Sequence, residues 1–140
     1  MITWLKAEEQ HQHKNGGGWV ANTATVEDSV YIGANAQVHG NARVSGNARV
    51  CGDAQVYGDA QMSGNARVDS DAWVETPLFI QGTKHGVSNS SYGKLSIGCV
   101  TLTFAEWKKQ YRALGKREGY TEKQIKEYGA IIALATKIGK

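Results

Sequence analysis

The chain has 140 residues, enough for one compact body with an appendage but not for two large cores. Seventeen glycines against one proline indicate many tight turns, because glycine readily adopts the positive φ angles of sharp corners. The net charge of +3 is unevenly spread: residues 101–140 carry nine basic and four acidic residues, whereas residues 21–100 carry five and seven. We therefore expect the C-terminal part to have its own positive field.

Neither a secretory signal nor a membrane span is predicted. The N-terminal stretch MITWLKAEEQ lacks an apolar run of signal-peptide length, and no later stretch is apolar enough for a span. Cys51 and Cys99 are far apart in sequence, which argues against a disulfide framework and fits a reducing compartment. We expect a cytoplasmic protein that does not bind membranes.

Residues 1–20 are predicted to cap one end of the fold. Trp19 follows three consecutive glycines, and we expect it to cover the first repeat together with Trp4. His11 and His13 alternate in the polar stretch HQHK, which is expected to be solvated.

Residues 21–82 contain a six-residue repeat. Aliphatic side chains recur every six residues from Val20 to Ile80, and two positions before each stands a small residue, alanine in most repeats. Glycine followed by Asn or Asp, as in Gly40-Asn41, marks the corners. A period of six fits no helix face, whereas three such repeats form a triangular coil of about 18 residues. The pattern predicts about three stacked coils that share one core.

The rest of the chain is predicted to contain a loop, one strand and two helices. Residues 83–102 are interpreted as a polar loop, TKHGVSNSSYGK, and a buried strand, KLSIGCVTL, that closes the last coil. Residues 103–140 are interpreted as a basic two-helix module whose helices begin with the capping boxes Thr103/Glu106 and Thr121/Gln124. The apolar face of the first helix is predicted to contain Phe104, Trp107, Tyr111 and Leu114, and that of the second Ile125, Tyr128, Ile132 and Ala135.

The apolar face of the second helix is wider than a helical hairpin needs. Ile131, Leu134 and Ile138 extend it beyond one stripe. We expect this face to pack on the β-helix or on another subunit.

The repeats resemble those of hexapeptide-repeat proteins, and HKNGGGWVANTATV (13–26) resembles the start of the YdcK-like bacterial and prophage branch. The resemblance implies a mainly β fold, a left-handed parallel β-helix with a C-terminal helical hairpin. The left hand comes from the resemblance alone. The tail, from GTKHGV to YTEKQIKEYG, is similar to C-terminal segments of phage-encoded proteins, which implies a phage or prophage origin.

The stacked coils suggest two places for chemistry. Asp53 over Asp71 would bring two carboxylates together, but two ligands are too few for a cation, and turn capping is the favoured interpretation. His39, Tyr57 and Glu75 would form a column resembling a proton relay, but a flat face builds no pocket, and a solvated ladder is favoured. We predict no catalytic residue, no metal and no cofactor.

Cys99 and His85 raise the question of a thiolate or zinc site. The sequence has no CxxC and no HxxxH, so a structural zinc site is not indicated, and Cys99 is predicted to be a small buried hydrophobe. The role of His85 stays open.

The resemblance to hexapeptide-repeat proteins also implies that the chain could be an enzyme. Many such proteins are acyltransferases that use acetyl-CoA at a subunit interface, and a smaller class resembles carbonic anhydrases with three metal-binding histidines. Here the repeats run without an inserted loop and contain only His39, and the four scattered histidines do not supply the anhydrase spacing. A non-catalytic protein is favoured, with the acyltransferase as the alternative.

A binding protein is therefore the predicted function. We expect the partner to be a host or phage protein, with nucleic acid as the alternative. The phage resemblance also implies that the protein inhibits host machinery. Self-association is expected, as a trimer in preference to a dimer, because a short β-helix gains stability by burying a face. The predicted partner-binding residues are Lys108, Lys109, Arg112, Lys116, Arg117, Lys123 and Lys126, with Arg43, Arg49 and Arg67 as a secondary face.

Overall fold

The computed structural model describes all residues 1–140, and they divide into two compact units, Met1–Pro77 and Leu78–Lys140. The first unit is a parallel β-helix of about three coils, and the second is a four-stranded antiparallel sheet with two α-helices. The predicted fold class, a mainly β parallel β-helix with a helical end, is confirmed. The β-helix unit ends at Pro77 rather than at residue 82.

Short strands build the three sides of the β-helix. A 3-10 turn at Ala7–Glu9 and a strand, β1, at Gln10–Gln12 precede them, and β1 pairs antiparallel with β2. The remaining strands are Trp19–Ala21 (β2), Thr25–Val26 (β3), Tyr31–Ile32 (β4), Gln37–Val38 (β5), Arg43–Val44 (β6), Arg49–Val50 (β7), Gln55–Val56 (β8), Gln61–Met62 (β9), Arg67–Val68 (β10) and Ala72–Trp73 (β11).

Every third strand is a hydrogen-bonded neighbour, as the triangular coil requires. The three sheets contain β2-β5-β8-β11, β3-β6-β9 and β4-β7-β10, all paired in parallel. Val20 pairs with Val38, and Val38 pairs with Val56, so identical inward positions stack directly. These valines are fully buried, with the preceding alanines beside them, and the stack forms one continuous apolar core.

Glycine is required at the corners because successive coils approach closely there. Gly40 has a φ of +63°, and a Cβ added to it would lie 2.8 Å from the amide nitrogen of Gly58 in the next coil. A side chain would therefore clash with backbone as well as strain the conformation.

The repeat slips by one residue in its last coil. Ala72 pairs with Gln55 and Trp73 with Val56, so Trp73 occupies the inward position predicted for Val74. Trp73 is 2% exposed and Val74 44% exposed. Ser70 stands where the earlier corners have glycine, Asp71 has a φ of 71°, and the corner is one residue shorter, which shifts every later residue. The prediction that Val74 points inward is therefore wrong.

The N-terminal cap differs from the predicted one. Ile2 is fully buried, and the buried Gln10 side chain holds it by accepting from the Ile2 amide (2.7 Å) and donating to the Ile2 carbonyl (3.0 Å). Trp4 is 62% exposed and Trp19 is half-buried, so neither is a buried lid. His13 is buried, not solvated, because its Nε2 lies 2.7 Å from the Val30 carbonyl oxygen, whereas His11 is exposed as expected.

The second unit contains strands that the sequence analysis missed. Its elements are Phe79–Gln81 (β12), Gly86–Ser91 (β13), Lys94–Ile97 (β14), Val100–Thr103 (β15), Phe104–Arg117 (α1) and Glu122–Ile138 (α2). The predicted polar loop contains β13, and the predicted single strand is the hairpin β14-β15. The hairpin turns at Gly98, whose φ is +60°, and this leaves Cys99 exposed. The prediction that Cys99 is buried is therefore wrong.

The helix predictions are confirmed in detail. Both capping boxes are present, with the Thr103 hydroxyl accepting from the Glu106 amide and the Thr121 hydroxyl from the Gln124 amide. Trp107 is buried, and its Nε1 donates to the Leu95 carbonyl oxygen at 2.7 Å. The four predicted core residues of α2 are buried, and neither helix is long and apolar enough to cross a bilayer.

The length of the coil gives a test by deletion. Removing residues 45–62 takes out one whole coil and preserves every column, whereas removing residues 45–56 rotates the downstream sides by a third of a turn. We expect the first variant to fold with a lower melting temperature than the unchanged chain, and the second variant to lose cooperative thermal unfolding. Equal melting behaviour of the two variants, measured by circular dichroism, would contradict the stacking described here.

Candidate functional site

The seven predicted partner-binding residues are all exposed, and all lie on the two helices of the second unit. Lys109, Arg112 and Lys116 recur at spacings of three and four, so they share one face of α1. Lys123 and Lys126 are likewise three residues apart on α2. Together with Lys108 and Arg117, we call them the basic helical surface.

Close packing makes the two helices a firm support for this surface. A Cβ added at Gly129 would lie 2.7 Å from the Tyr111 ring, and one at Gly115 would lie 2.9 Å from Ile125. The glycines therefore let α1 and α2 approach closely, and Trp107 and Tyr128 are buried in the same core. The basic side chains project from helices that pack on each other and on the sheet, and none of them belongs to the buried core, so changing them leaves that core intact.

Only two of the seven basic residues form ion pairs. Arg112 lies 3.2 Å from Glu122 and Arg117 lies 3.4 Å from Glu118, measured between nitrogen and carboxylate oxygen. Both pairs are largely exposed, and exposed pairs contribute little because water and salt screen them. The hydrogen bond to Glu122 raises the pKa of the Arg112 guanidinium, which stays charged. The five lysines have no carboxylate within ion-pair distance.

The two units carry opposite net charge. Residues 78–140 contain eleven Lys or Arg and four Glu, a net charge of +7, and residues 1–77 contain five basic and nine acidic residues, a net charge of −4. These two values account for the total of +3. An anionic partner is therefore attracted to the second unit and repelled by the first.

The three arginines predicted to form a secondary binding face lie on two different sides of the coil. Arg49 and Arg67 pair directly across strands β7 and β10, but Arg43 lies on β6, in another sheet. Residues six apart occupy adjacent sides of the coil, which explains the separation. Arg49 stacks on the Tyr31 ring at 4.5 Å, and Arg67 pairs with Asp69 at 2.7 Å. The three arginines therefore do not form one binding surface.

The two columns considered for chemistry are only partly formed. His39 and Tyr57 stack with ring centroids 4.7 Å apart, and Trp4 contacts His39 edge-on at 5.0 Å. The one-residue slip moves Glu75 out of this column. It also separates Asp71 from Asp53, since the Gln55 amide donates to the Asp71 carbonyl oxygen. No three His, Cys, Asp or Glu side chains are grouped to hold a metal ion.

A small cavity in the second unit was not predicted. It encloses about 50 Å³ between the helices and the sheet, and its walls include Trp107, Tyr120 and Tyr128. The Tyr128 hydroxyl donates to the His85 carbonyl oxygen (2.7 Å) and accepts from the Lys84 amide (3.0 Å). Ligand sites usually enclose several hundred Å³, so this cavity is too small for a cofactor as it stands. Its walls combine the apolar faces of both helices with Ile97 and Val100 of the hairpin, and the helix pattern alone does not place these elements together.

The environment of His39 predicts a dependence of stability on pH. Burial lowers the pKa of its imidazole, and a contact with the Gln55 side chain opposes part of this shift. The neutral ring is favoured in the folded state, so the unfolded chain binds more protons as the pH falls below about 6.5. We expect the free energy of unfolding to decrease from about pH 7.5 to about pH 5, and His39→Gln to reduce that decrease.

The control for this measurement is His85→Gln, which changes an exposed histidine in the other unit. It should keep the pH dependence of the unchanged protein in urea unfolding. An identical slope in His39→Gln and the unchanged protein would contradict the assignment to His39.

Comparison with known proteins bears on the β-helix. Residues 36–52 match a family model described as the YdcK β-solenoid repeat, and these residues form β5, β6 and β7 with their corners. No curated protein and no solved structure matches the chain significantly. The repeated unit of this chain is therefore similar to the YdcK β-solenoid repeat, in agreement with the three stacked coils.

Proposed function

We propose that this chain is a non-catalytic binding protein, in which the β-helix is a scaffold and the basic helical surface binds an acidic macromolecular partner. The observation that carries the proposal is the placement of seven exposed cations on two well-packed helices within a unit of net charge +7. Five of the seven have no ion-pair partner in the chain, so their charge is available.

A protein with an acidic surface is the proposed partner class. Glu118 and Glu122 stand among the cations, and this mixture suits a patterned protein surface better than a uniformly negative phosphate backbone. We propose a host protein as that partner, and blocking of host machinery as the outcome, from the predicted phage origin of the tail alone. Nucleic acid is the competing partner that the experiment separates.

The side chains to change are the lysines without ion pairs. Reversing Arg112 or Arg117 would also create repulsion with Glu122 or Glu118 inside the hairpin. Lys109, Lys116 and Lys126 avoid this complication because they are exposed and have no carboxylate neighbour at ion-pair distance.

We expect Lys109→Glu/Lys116→Glu/Lys126→Glu to weaken partner binding at least ~10-fold, or about 1.4 kcal/mol, because three attractive charges become repulsive. The measurement is capture from a bacterial lysate, with mass spectrometry of retained proteins, analysis of retained nucleic acid, and titration with the captured species. Binding of the unchanged chain should weaken as salt rises.

The matched control is Lys6→Glu/Arg43→Glu/Arg49→Glu, which makes the same change in net charge on the β-helix. It should retain the partner. Loss of binding in this control with unchanged binding in the lysine variant would place recognition on the β-helix and contradict the proposal. Retention of nucleic acid alone would contradict the proposed partner class.

Trp107→Ala separates recognition from folding. It removes a buried ring and its hydrogen bond to Leu95, and should cost ~3 kcal/mol or more of stability. The lysine variant should unfold like the unchanged protein, since its side chains lie outside the core.

A further inference from the structure

Four side chains line the outer face of the β2-β5-β8-β11 sheet in one continuous row, which we call the aromatic stripe: Trp4, His39, Tyr57 and Val74. Trp4 contacts His39 edge-on, and His39 stacks on Tyr57 with an interplanar angle of 13°. The Tyr57 amide donates to the Trp73 carbonyl oxygen, so Val74 follows Tyr57 in the row.

The aromatic stripe exposes apolar surface that the rest of the β-helix unit does not. The exposed large hydrophobic residues of the β-helix unit are Met1, Trp4 and Val74, which are 58%, 62% and 44% exposed. Trp4 and Val74 are the two ends of the stripe, and the Met1 carbonyl oxygen lies 3.5 Å from the Gln37 side chain in the same sheet. Exposed apolar side chains gathered on one face of a small unit indicate an interaction surface.

The strand positions beside the stripe are uncharged, in contrast to those on the other two sides of the coil, and the nearest charges in sequence are the exposed Asp59 and Glu75 at the adjoining corner. The outward positions beside the stripe on β2, β5 and β8 are Trp19, Gln37 and Gln55. The other two sheets carry Arg43 on one side, and Arg49 and Arg67 on the other. Two copies that met through an arginine side would oppose like charges, whereas this face can meet its own copy without that penalty.

We infer that the aromatic stripe is a self-association surface, and that its occupant is the stripe of a second copy related by a two-fold axis. Such an axis reverses the order of the row. Trp4 of one copy then faces Val74 of the other, and His39 faces Tyr57. A large ring therefore opposes a small side chain at both ends of the row, and the edges of the stacked His39 and Tyr57 rings meet in its centre.

The stripe is self-complementary only in this antiparallel arrangement. Parallel copies would oppose Trp4 to Trp4 and leave a gap between two Val74 side chains. The geometry thus favours a pair over the trimer expected from the sequence. The inference is independent of the proposed function, because the stripe lies on the β-helix unit and the basic helical surface on the other.

The test uses the full chain in sedimentation equilibrium from about 1 µM to about 1 mM. We expect a monomer–dimer equilibrium whose association constant falls at least ~10-fold in Trp4→Glu and in Val74→Glu, because each change buries a charge against an apolar ring or side chain. Both positions are exposed in the single chain, so both variants should keep its fold.

Matched controls add the same charge on another side of the coil. Thr25 and Gln61 are exposed residues of β3 and β9, near the two ends of the β-helix. The variants Thr25→Glu and Gln61→Glu should dimerise like the unchanged chain. Circular dichroism spectra and melting curves of all four variants check that the fold is retained.

A chain that stays monomeric over the whole range would overturn the inference. So would a dimer that survives both stripe variants, or one that the control variants weaken equally. A trimer lost only in the stripe variants would support the surface and overturn the two-fold arrangement.

Discussion

The stacking of one coil on the next is the interaction on which the rest of the structure depends. A single repeat buries one valine and one alanine and leaves its backbone groups unpaired, so it has no stability alone. Stacking pairs those groups with the adjacent coils and joins the valines into one core. The same stacking fills the interior with apolar side chains, most of them alanine and valine. Any function must therefore lie on the outer faces or in an appended unit.

The chain places opposite electrostatic character in its two units. The β-helix unit is net acidic, and the charged residues within its parallel strands are arginines that lie on two of its three sides. The second unit is strongly basic, and its helices gain their stability from Trp107, Tyr128 and the sheet beneath them. The cations do not contribute to that core. Because the folding residues and the charged residues are separate, the charged surface can vary without loss of the fold.

Features with short-range causes were predictable from the sequence. The repeat fixes strand order because its period is regular, and both helix starts were predicted because each capping box spans only four residues. The four-stranded sheet was not predictable, because β13 reads GVSNSS and looks like a polar loop. Its polar side chains are buried with partners: the Ser90 and Ser96 hydroxyls lie 2.6 Å apart, and Asn89 bonds the backbone of Lys94 and Lys140. Such pairings join distant residues and leave no local pattern.

The same reasoning explains the mixed outcome at the candidate sites. Exposure of the lysines and arginines followed from the helix period, but the separation of Arg43 from Arg49 required attention to the side of the coil. The slip at Asp71 has one local signal, because Ser70 ends the series of corner glycines, but Ala72 and Val74 still continue the six-residue pattern and so predict an unchanged register. It nevertheless decides which side chain follows Tyr57 and ends the aromatic stripe.

The central claim is that recognition belongs to the helices and support to the β-helix. The most direct measurement places a photo-crosslinking amino acid at position 109 or at position 49 of the full chain in bacterial lysate. We expect a discrete protein adduct from position 109, on the basic helical surface, and none from position 49, on the β-helix. A specific adduct from position 49 and none from position 109 would contradict the claim.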